Sequence, residues 1–202
     1  MRHARFLQLH QAFKEGIRVR TAGAAGPVRR RRIADLVLPT GEITIGYPGE
    51  RLIDCPSRVH PRVPPGRYEA FISVAVARAG WSSFAFLTVR FSAEAVERWQ
   101  PAGSFFTDSG TGCVCDSSLT DALRRRRHEL GFEGWHVLKN GIQGDGDCGL
   151  PLDADRGGNA IVFKTLDWEY DCYVGHDHAD RPACLVIDGR WPRWWERWAF
   201  WR

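Results

Sequence analysis

Short apolar runs separated by glycine, proline and acidic residues dominate the chain from residue 33 onward, and they read as strands. LVLPTGEITIGY places two such runs around Pro39, Thr40 and Gly41, a spacing that predicts a hairpin. Residues 68–76 (YEAFISVAV) and 83–91 (SFAFLTVRF) alternate or nearly so. Separated by the turn-rich ARAGWS, they predict two antiparallel neighbours. Pro64, Pro65 and Gly66 cannot continue a ladder and mark the entry turn. Residues 161–164, 170–174 and 183–187 predict three further strands, and 140–159, with six glycines and four aspartates, a long loop.

Helical signals are fewer. Phe6, Leu9, His10, Phe13 and Ile17 have helical spacing, Ser92 can cap a helix over 93–99, and Ser118 with Asp121 resembles a capping box opening a helix over 119–130 that Gly131 ends. Arg124, Arg125, Arg126 and Arg127 in that helix step around its axis by about 100° each, so they predict a solvated face. The expected fold is α+β and β-rich: an antiparallel curved sheet or sandwich-like core over 33–189, with two short helices.

Charge divides the chain unevenly. Residues 1–32 carry eight arginines and Lys14 against Glu15 alone, a surplus of +8, so a net charge of +4 leaves −4 on the other 170 residues. The breaker-rich 21–32 (TAGAAGPVRRRR) predicts a linker, making 1–32 a basic arm, with 1 to about 28 dispensable for folding. Such an arm could meet nucleic acid, but no recognised nucleic-acid module accompanies it, and a solvated arm is the favoured reading. No run of 18 apolar residues and no signal-like start is present, which predicts a cytoplasmic protein without a transmembrane segment.

Six cysteines raise the question of metal. Cys113 and Cys115 are separated by one residue, as alternating strand positions are, rather than by the two-residue gap of zinc ligands, so free buried thiols are expected and no metal or cofactor. The ending WPRWWERWAFWR sets Trp191, Trp194, Trp195, Trp198 and Trp201 at intervals of three and four. They predict one helical face, with Trp194 and Trp198 as binding residues, in a tail over 190–202 that docks on the domain or on a partner.

Two tracts carry the candidate chemistry: FFTDSGTGCVCD (105–116) and AIVFKTLDWEYDCYVGHDHADRPACLVIDG (160–189). Together with the "TGEI" turn, "VPPGRYEAFISVA" and "AFLTVRFS", they resemble the bacterial family called domain of unknown function 4241, over roughly residues 36–189. The most specific parts are Asp108, Gly110, Gly112, Cys113 and Asp116, then Asp167, Tyr170, Tyr173, Gly175 and Asp177. Trp168 and Asp180 stand where that family usually carries glycine. The resemblance implies a fold and no established reaction.

The residues themselves allow two readings. Asp108, Asp116, Asp171 and Asp177 are candidate catalytic acids of a hydrolase, metal-dependent or not, provided the tracts bring them together. Alternatively the acids hold turns, with Asp108 accepting backbone N–H bonds, and the protein is a non-catalytic interaction domain whose partner is another protein or a second copy. Tyr170, Tyr173 and His176 are then the candidate binding residues of the second tract. The second reading is the expected one, with a role in bacterial conflict or defence as its biological setting. Convergence of the acids in an open cleft would favour catalysis, and burial with satisfied hydrogen bonds would favour structure.

Overall fold

The computed structural model describes residues 9–46, 57–107, 110–143, 149–153, 155 and 157–190, with the backbone alone at 57–58 and 132–143. Twelve strands are present among them: β1 (Arg18–Arg20), β2 (Ala25–Leu38), β3 (Ile43–Gly46), β4 (Ser57–Val59), β5 (Gly66–Val76), β6 (Ser82–Arg90), β7 (Arg98–Phe106), β8 (Thr111–Asp116), β9 (Gly149–Asp153), β10 (Gly158–Lys164), β11 (Glu169–His176) and β12 (Pro182–Asp188). They form two open sheets, ordered β1-β2-β5-β6-β12-β11-β7 and β4-β3-β8-β10-β9, with every pairing antiparallel. The β-rich, sandwich-like expectation is what the chain adopts.

The sheets pack face to face through alternate residues of each strand. Ala70 and Ile72 from β5, Leu87 and Val89 from β6, and Tyr170, Cys172 and Val174 from β11 meet Val114 of β8 and Ile161 and Phe163 of β10. Aromatic rings lock the centre: Phe84 lies 5.2 Å from Phe163 and 5.5 Å from Tyr170, centroid to centroid, and Phe105 stacks on Tyr170 at 5.5 Å. Offset and edge-to-face pairs of this kind add about 0.5–1.5 kcal/mol each beyond their area.

The outer face of the seven-stranded sheet is covered as well. Leu9 and Ala12, Val19 on β1 and Val28 on β2 pack with Ala75, Phe86, Trp99, Tyr173 and Val186, all buried. Phe13 stacks on Trp99 at 6.4 Å, and His10 meets its edge at 5.7 Å. Arg190 seals this layer: it pairs with Asp188 through Nε–Oδ1 at 2.9 Å and Nη2–Oδ2 at 2.7 Å, reaches Gln11 Oε1 at 3.3 Å and lies over Phe86.

Several expectations are corrected. The stretch read as a linker is largely strand: β2 runs through Arg29, Arg30, Arg31 and Arg32 and pairs with β5 from Val28↔Ala75 to Leu38↔Gly66. Its arginines are accommodated because Arg30 stacks its guanidinium 3.6 Å from the Phe71 ring centre, while Arg32 pairs with Asp35 and Glu69. The described part of the arm thus belongs to the fold. The turn at Pro39–Gly41 is no hairpin, since β2 pairs with β5 and β3 with β4 and β8, so it carries the chain from one sheet to the other. Residues 93–99 form no helix and lead into β7, because Trp99 is needed against the N-terminal segment.

One α-helix is described, α1 (Thr120–Gln143), with non-helical backbone at Gly131 where a stop was expected. Two 3-10 turns, His10–Phe13 and Ser117–Leu119, accompany it. The first replaces the expected N-terminal amphipathic helix over its described part. Asp116 rather than Ser118 caps the second, accepting the Ser118 N–H. The four arginines of α1 face solvent wholly or in part, with Arg124–Asp121 and Arg126–Glu129 pairs at i,i+3. The expected long loop over 140–159 instead contains the end of α1, all of β9 and the start of β10.

Truncation of Leu9→Ala should cost about 2–5 kcal/mol, because the side chain is fully buried in the outer layer. Urea denaturation checks this. For the same reason, a chain starting near Arg30 should lose its cooperative thermal transition.

Candidate functional site

The two acid-rich tracts meet at one end of the sandwich. β7 leads into β8 through residues 107–110, and β10 leads into β11 through 165–168, so two sheet-to-sheet crossings lie side by side. Gly110 N–H donates to Asp167 Oδ1 at 2.7 Å, and Thr165 N–H donates to Gly110 O at 2.9 Å. Thr107 N–H donates to Trp168 O at 3.0 Å, while its hydroxyl donates to Leu166 O at 2.6 Å and receives the Thr165 hydroxyl at 3.2 Å. Tyr170 completes the clasp: its hydroxyl accepts from Leu166 N–H at 2.8 Å and donates to Leu166 O at 3.0 Å. Burial pushes its phenol above the ordinary range, so it remains protonated as this double role requires. Asp108 lies outside the described residues.

Gly112, two residues on from the clasp, is explained by packing. A Cβ there would sit 2.5 Å from Cζ of Phe163, the ring at the centre of the core.

Of the other acids of the tracts, Asp116 and Asp177 lie at the ends of β8 and β11 away from this junction, while Asp171 follows Tyr170 on β11. Asp116 ends β8, five residues beyond Thr111, hence about 17 Å along the strand. It is fully buried, and its carboxylate accepts five hydrogen bonds: Thr40 N–H at 2.8 Å, Thr40 Oγ1–H at 2.7 Å, Gly41 N–H at 3.1 Å, Ser118 N–H at 2.9 Å and Ser118 Oγ–H at 2.7 Å. Burial pushes this carboxyl up, but the hydrogen bonds from Ser118 and Thr40 together outweigh it and hold it below the ordinary range. Asp116 thereby ties the sheet-crossing turn at Thr40 to the start of α1. Gly41 in that turn has φ 76° and leaves no room for a side chain, since a Cβ would lie 1.8 Å from Val63 O.

Asp177 follows β11 in the turn to β12. Its buried carboxylate accepts Ala179 N–H and Arg181 N–H, each at 2.9 Å, and Arg181 Nε–H at 3.0 Å. The Arg181 backbone bond, with the Arg181 side chain and Ala179, holds this carboxyl low. Asp180 adopts φ 60°, the left-handed region that glycine enters with least strain, and pairs with Arg98. His176, buried at the end of β11, has Nδ1 3.1 Å from Asp180 O, while His178 is exposed. Asp171 is half-buried on β11, opposite Ser104 and Asp188, with the Tyr173 hydroxyl 3.5 Å from Oδ2. Tyr173 itself is buried in the outer layer, and Trp194 and Trp198 lie outside the described residues.

The two tracts do meet, which the sequence had left open, but among the described residues their candidate acids do not gather: Asp116 ends β8, Asp171 lies on β11 and Asp177 follows β11. Asp116 and Asp177 are consumed by backbone N–H groups. Among the described residues no three His, Cys, Asp or Glu side chains gather as a metal site would require. Cys113, Cys115, Cys172 and Cys184 are free and buried. The hydrogen bond to Cys115 and burial push the Cys113 thiol far up, and burial pushes Cys184 up to about 12, which disfavours thiolate chemistry at either. No described helix is long and apolar enough to cross a membrane.

What sequence reasoning missed is apolar. Trp81, Phe106 and Leu166 are 53%, 51% and 37% exposed, and all three belong to the end of the sandwich where the tracts meet. Trp81 precedes β6, Phe106 ends β7 and Leu166 lies between β10 and β11. The signal was available only as large apolar residues next to turns, which strand patterning assigns to the core. Comparison of the chain with protein-family models, with curated proteins and with solved structures finds no match.

Replacing Asp116 by Asn should destabilise the fold by about 3 kcal/mol or more, since it removes charge-assisted bonds worth about 1.5–3 kcal/mol each and turns an amide N–H₂ towards N–H donors. The pH dependence has a definite sign. A carboxyl depressed in the folded state contributes stability above its unfolded value, about 3.9, and loses it as pH falls through the folded value. The stability gap between wild type and Asp116→Asn should accordingly be full at pH 6 and shrink below about pH 4, read by chemical denaturation at each pH.

Proposed function

We propose that this chain is a non-catalytic interaction domain that binds a partner segment at the end of the sandwich where residues 107–110 and 165–168 meet. The observation that carries the reading is the exposure of Trp81, Phe106 and Leu166 together at that end. The hydrogen-bonded clasp beneath them presents these side chains from a rigid frame, which lowers the ordering cost of binding. Asp167 and Glu169, both exposed, flank Leu166 and Phe106. The complementary ligand is thus an apolar, aromatic segment that also carries basic residues. The saturated carboxylates of Asp116 and Asp177 count against the hydrolase alternative, because a catalytic acid needs lone pairs free for water or substrate. Action in bacterial conflict remains part of the proposal through the family resemblance alone.

The test compares wild type with a Phe106→Ser/Leu166→Ser variant, first verified to melt normally. Each chain is immobilised and exposed to lysate of the cells that express it. Exposed aromatic and aliphatic anchors are worth about 2 kcal/mol or more each when they are binding hot spots, so retention of a true partner should fall at least about tenfold. Equal retention by both chains would refute the reading.

A further inference from the structure

The outer face of the seven-stranded sheet carries polar side chains that its apolar cover leaves without partners. On β5 and β6, Ile72, Leu87 and Val89 turn towards the five-stranded sheet, so the alternating Phe71, Ser73, Thr88 and Arg90 turn outward. The register sets them in one patch with Arg30 of β2: Arg30 lies opposite Ser73, Phe71 lies opposite Thr88, and Arg90 is two residues beyond Thr88. Side chains directly opposite across a strand pair stand about 5 Å apart, and diagonal ones about 7–8 Å. Ser73 and Thr88 are 0% and 1% exposed, and their hydroxyls, with Arg30 Nε, are three of the five buried side-chain N or O atoms that lack a hydrogen-bond partner among the described residues. All three can donate, and a buried donor without an acceptor is unfavourable.

The charge on this patch is as one-sided as its hydrogen bonding. Arg30 lays its guanidinium 3.6 Å from the centre of the half-buried Phe71 ring. Arg90, diagonal to Phe71 on the sheet, is exposed and reaches within 5.6 Å of the Phe13 ring centre. Burial first, and then the like charge of Arg90, hold the Arg30 guanidinium below its ordinary range, against the opposite pull of Glu69 and Glu15. Glu69 is already paired with Arg32, and neither Arg30 nor Arg90 has an ion pair among the described residues. Two arginines are thus held within repulsive range of each other beside two buried hydroxyls. An oxyanion between them removes the repulsion and gives the hydroxyls an acceptor.

We propose that Arg30, Arg90, Ser73 and Thr88 form a phosphate-binding site on the outer face, the two guanidinium groups clamping the anion and the two hydroxyls donating to it. The patch lies at the far end of β6 from Trp81, so it is separate from the apolar end and does not depend on the interaction reading. A phosphate suits these donors better than a carboxylate does. Its tetrahedral oxygens reach both guanidinium groups and the hydroxyls at once, whereas a planar carboxylate is satisfied by one guanidinium fork. Glu69 and Glu15 at the margin favour a single phosphate group, free or as a monoester, over a long run of phosphates.

Inorganic phosphate is the probe, titrated into the full chain at constant ionic strength and followed by phosphorus NMR line broadening and titration calorimetry. Wild type should bind it saturably, and Arg90→Gln, which alters an exposed side chain, should keep the fold and weaken binding at least about tenfold. Ser73→Ala/Thr88→Val is the decisive variant. Without phosphate it should melt at or above the wild-type temperature, because it removes two unpartnered buried hydroxyls, yet its affinity should fall about tenfold. Phosphate also stabilises folded proteins generally by exclusion from their surface, so binding rather than melting in phosphate is the readout. No saturable binding, or equal binding in wild type and both variants, would mean an adventitious ion only and overturn the proposal. Binding lost in Arg90→Gln but unchanged in Ser73→Ala/Thr88→Val would overturn it too, by reducing the site to a surface counterion. So would a marked drop in the melting temperature of the hydroxyl variant without phosphate, which would give those hydroxyls a structural role. Displacement of phosphate by glycerol phosphate would support the site and assign it to a phosphorylated small molecule, and displacement by a single-stranded oligonucleotide alone would support it with a nucleic-acid backbone as the source.

Discussion

Everything in this fold depends on covering both faces of the seven-stranded sheet. An antiparallel sheet commonly buries one face and leaves the other to water. Here the five-stranded sheet covers the inner face, and residues 9–28 help to cover the outer one. Strands β6 and β12 consequently carry almost continuous apolar runs, FAFLTV and ACLVI, because neither side of the strand meets solvent. The N-terminal segment is a structural layer of the domain, held by Phe13 on Trp99 and by Arg190 between Asp188 and Gln11.

Buried carboxylates then fix the places where the chain leaves a sheet. Asp116 gathers Thr40, Gly41 and Ser118, Asp177 closes the β11–β12 turn, and Asp188 anchors Arg190. Each solves the same problem. Backbone N–H groups at strand ends lack ladder partners, and leaving such a group unpaired inside the protein costs about 1–3 kcal/mol. An aspartate at or next to the strand end supplies two acceptor oxygens at no cost in chain length. The acid-rich tracts are thus accounted for by sheet construction, with Asp167 doing the same for Gly110 at the one junction where the tracts touch.

That junction concentrates both rigidity and exposed apolar surface. Thr107, Thr165, Leu166 and Tyr170 clasp two neighbouring sheet crossings, and the side chains left over at the rim are Trp81, Phe106 and Leu166. A rigid frame under an apolar rim suits recognition of a segment.

The sequence by itself determined that this is a β-rich domain, that residues 66–90 hold two antiparallel neighbours and that three strands follow residue 157, because period-two apolar runs bounded by turn residues can form little else. It left open whether the two tracts come together, which the bonds from Gly110 to Asp167 and from Thr165 to Gly110 decided. Only the tertiary structure decided where the arginine tract at 29–32 belongs: with Phe71 and Glu69 as neighbours it is a strand, and without them it reads as a linker. The same holds for the Pro39–Gly41 turn, whose local signals fit a hairpin or a crossing between sheets equally well until the pairing of β3 with β8 selects one. Local propensity describes a segment alone. Which partner its edges and faces find, and whether an acid ends among N–H donors or in a cleft, is settled by contacts that span many tens of residues, from Asp116 to Thr40 and from Arg190 to Gln11.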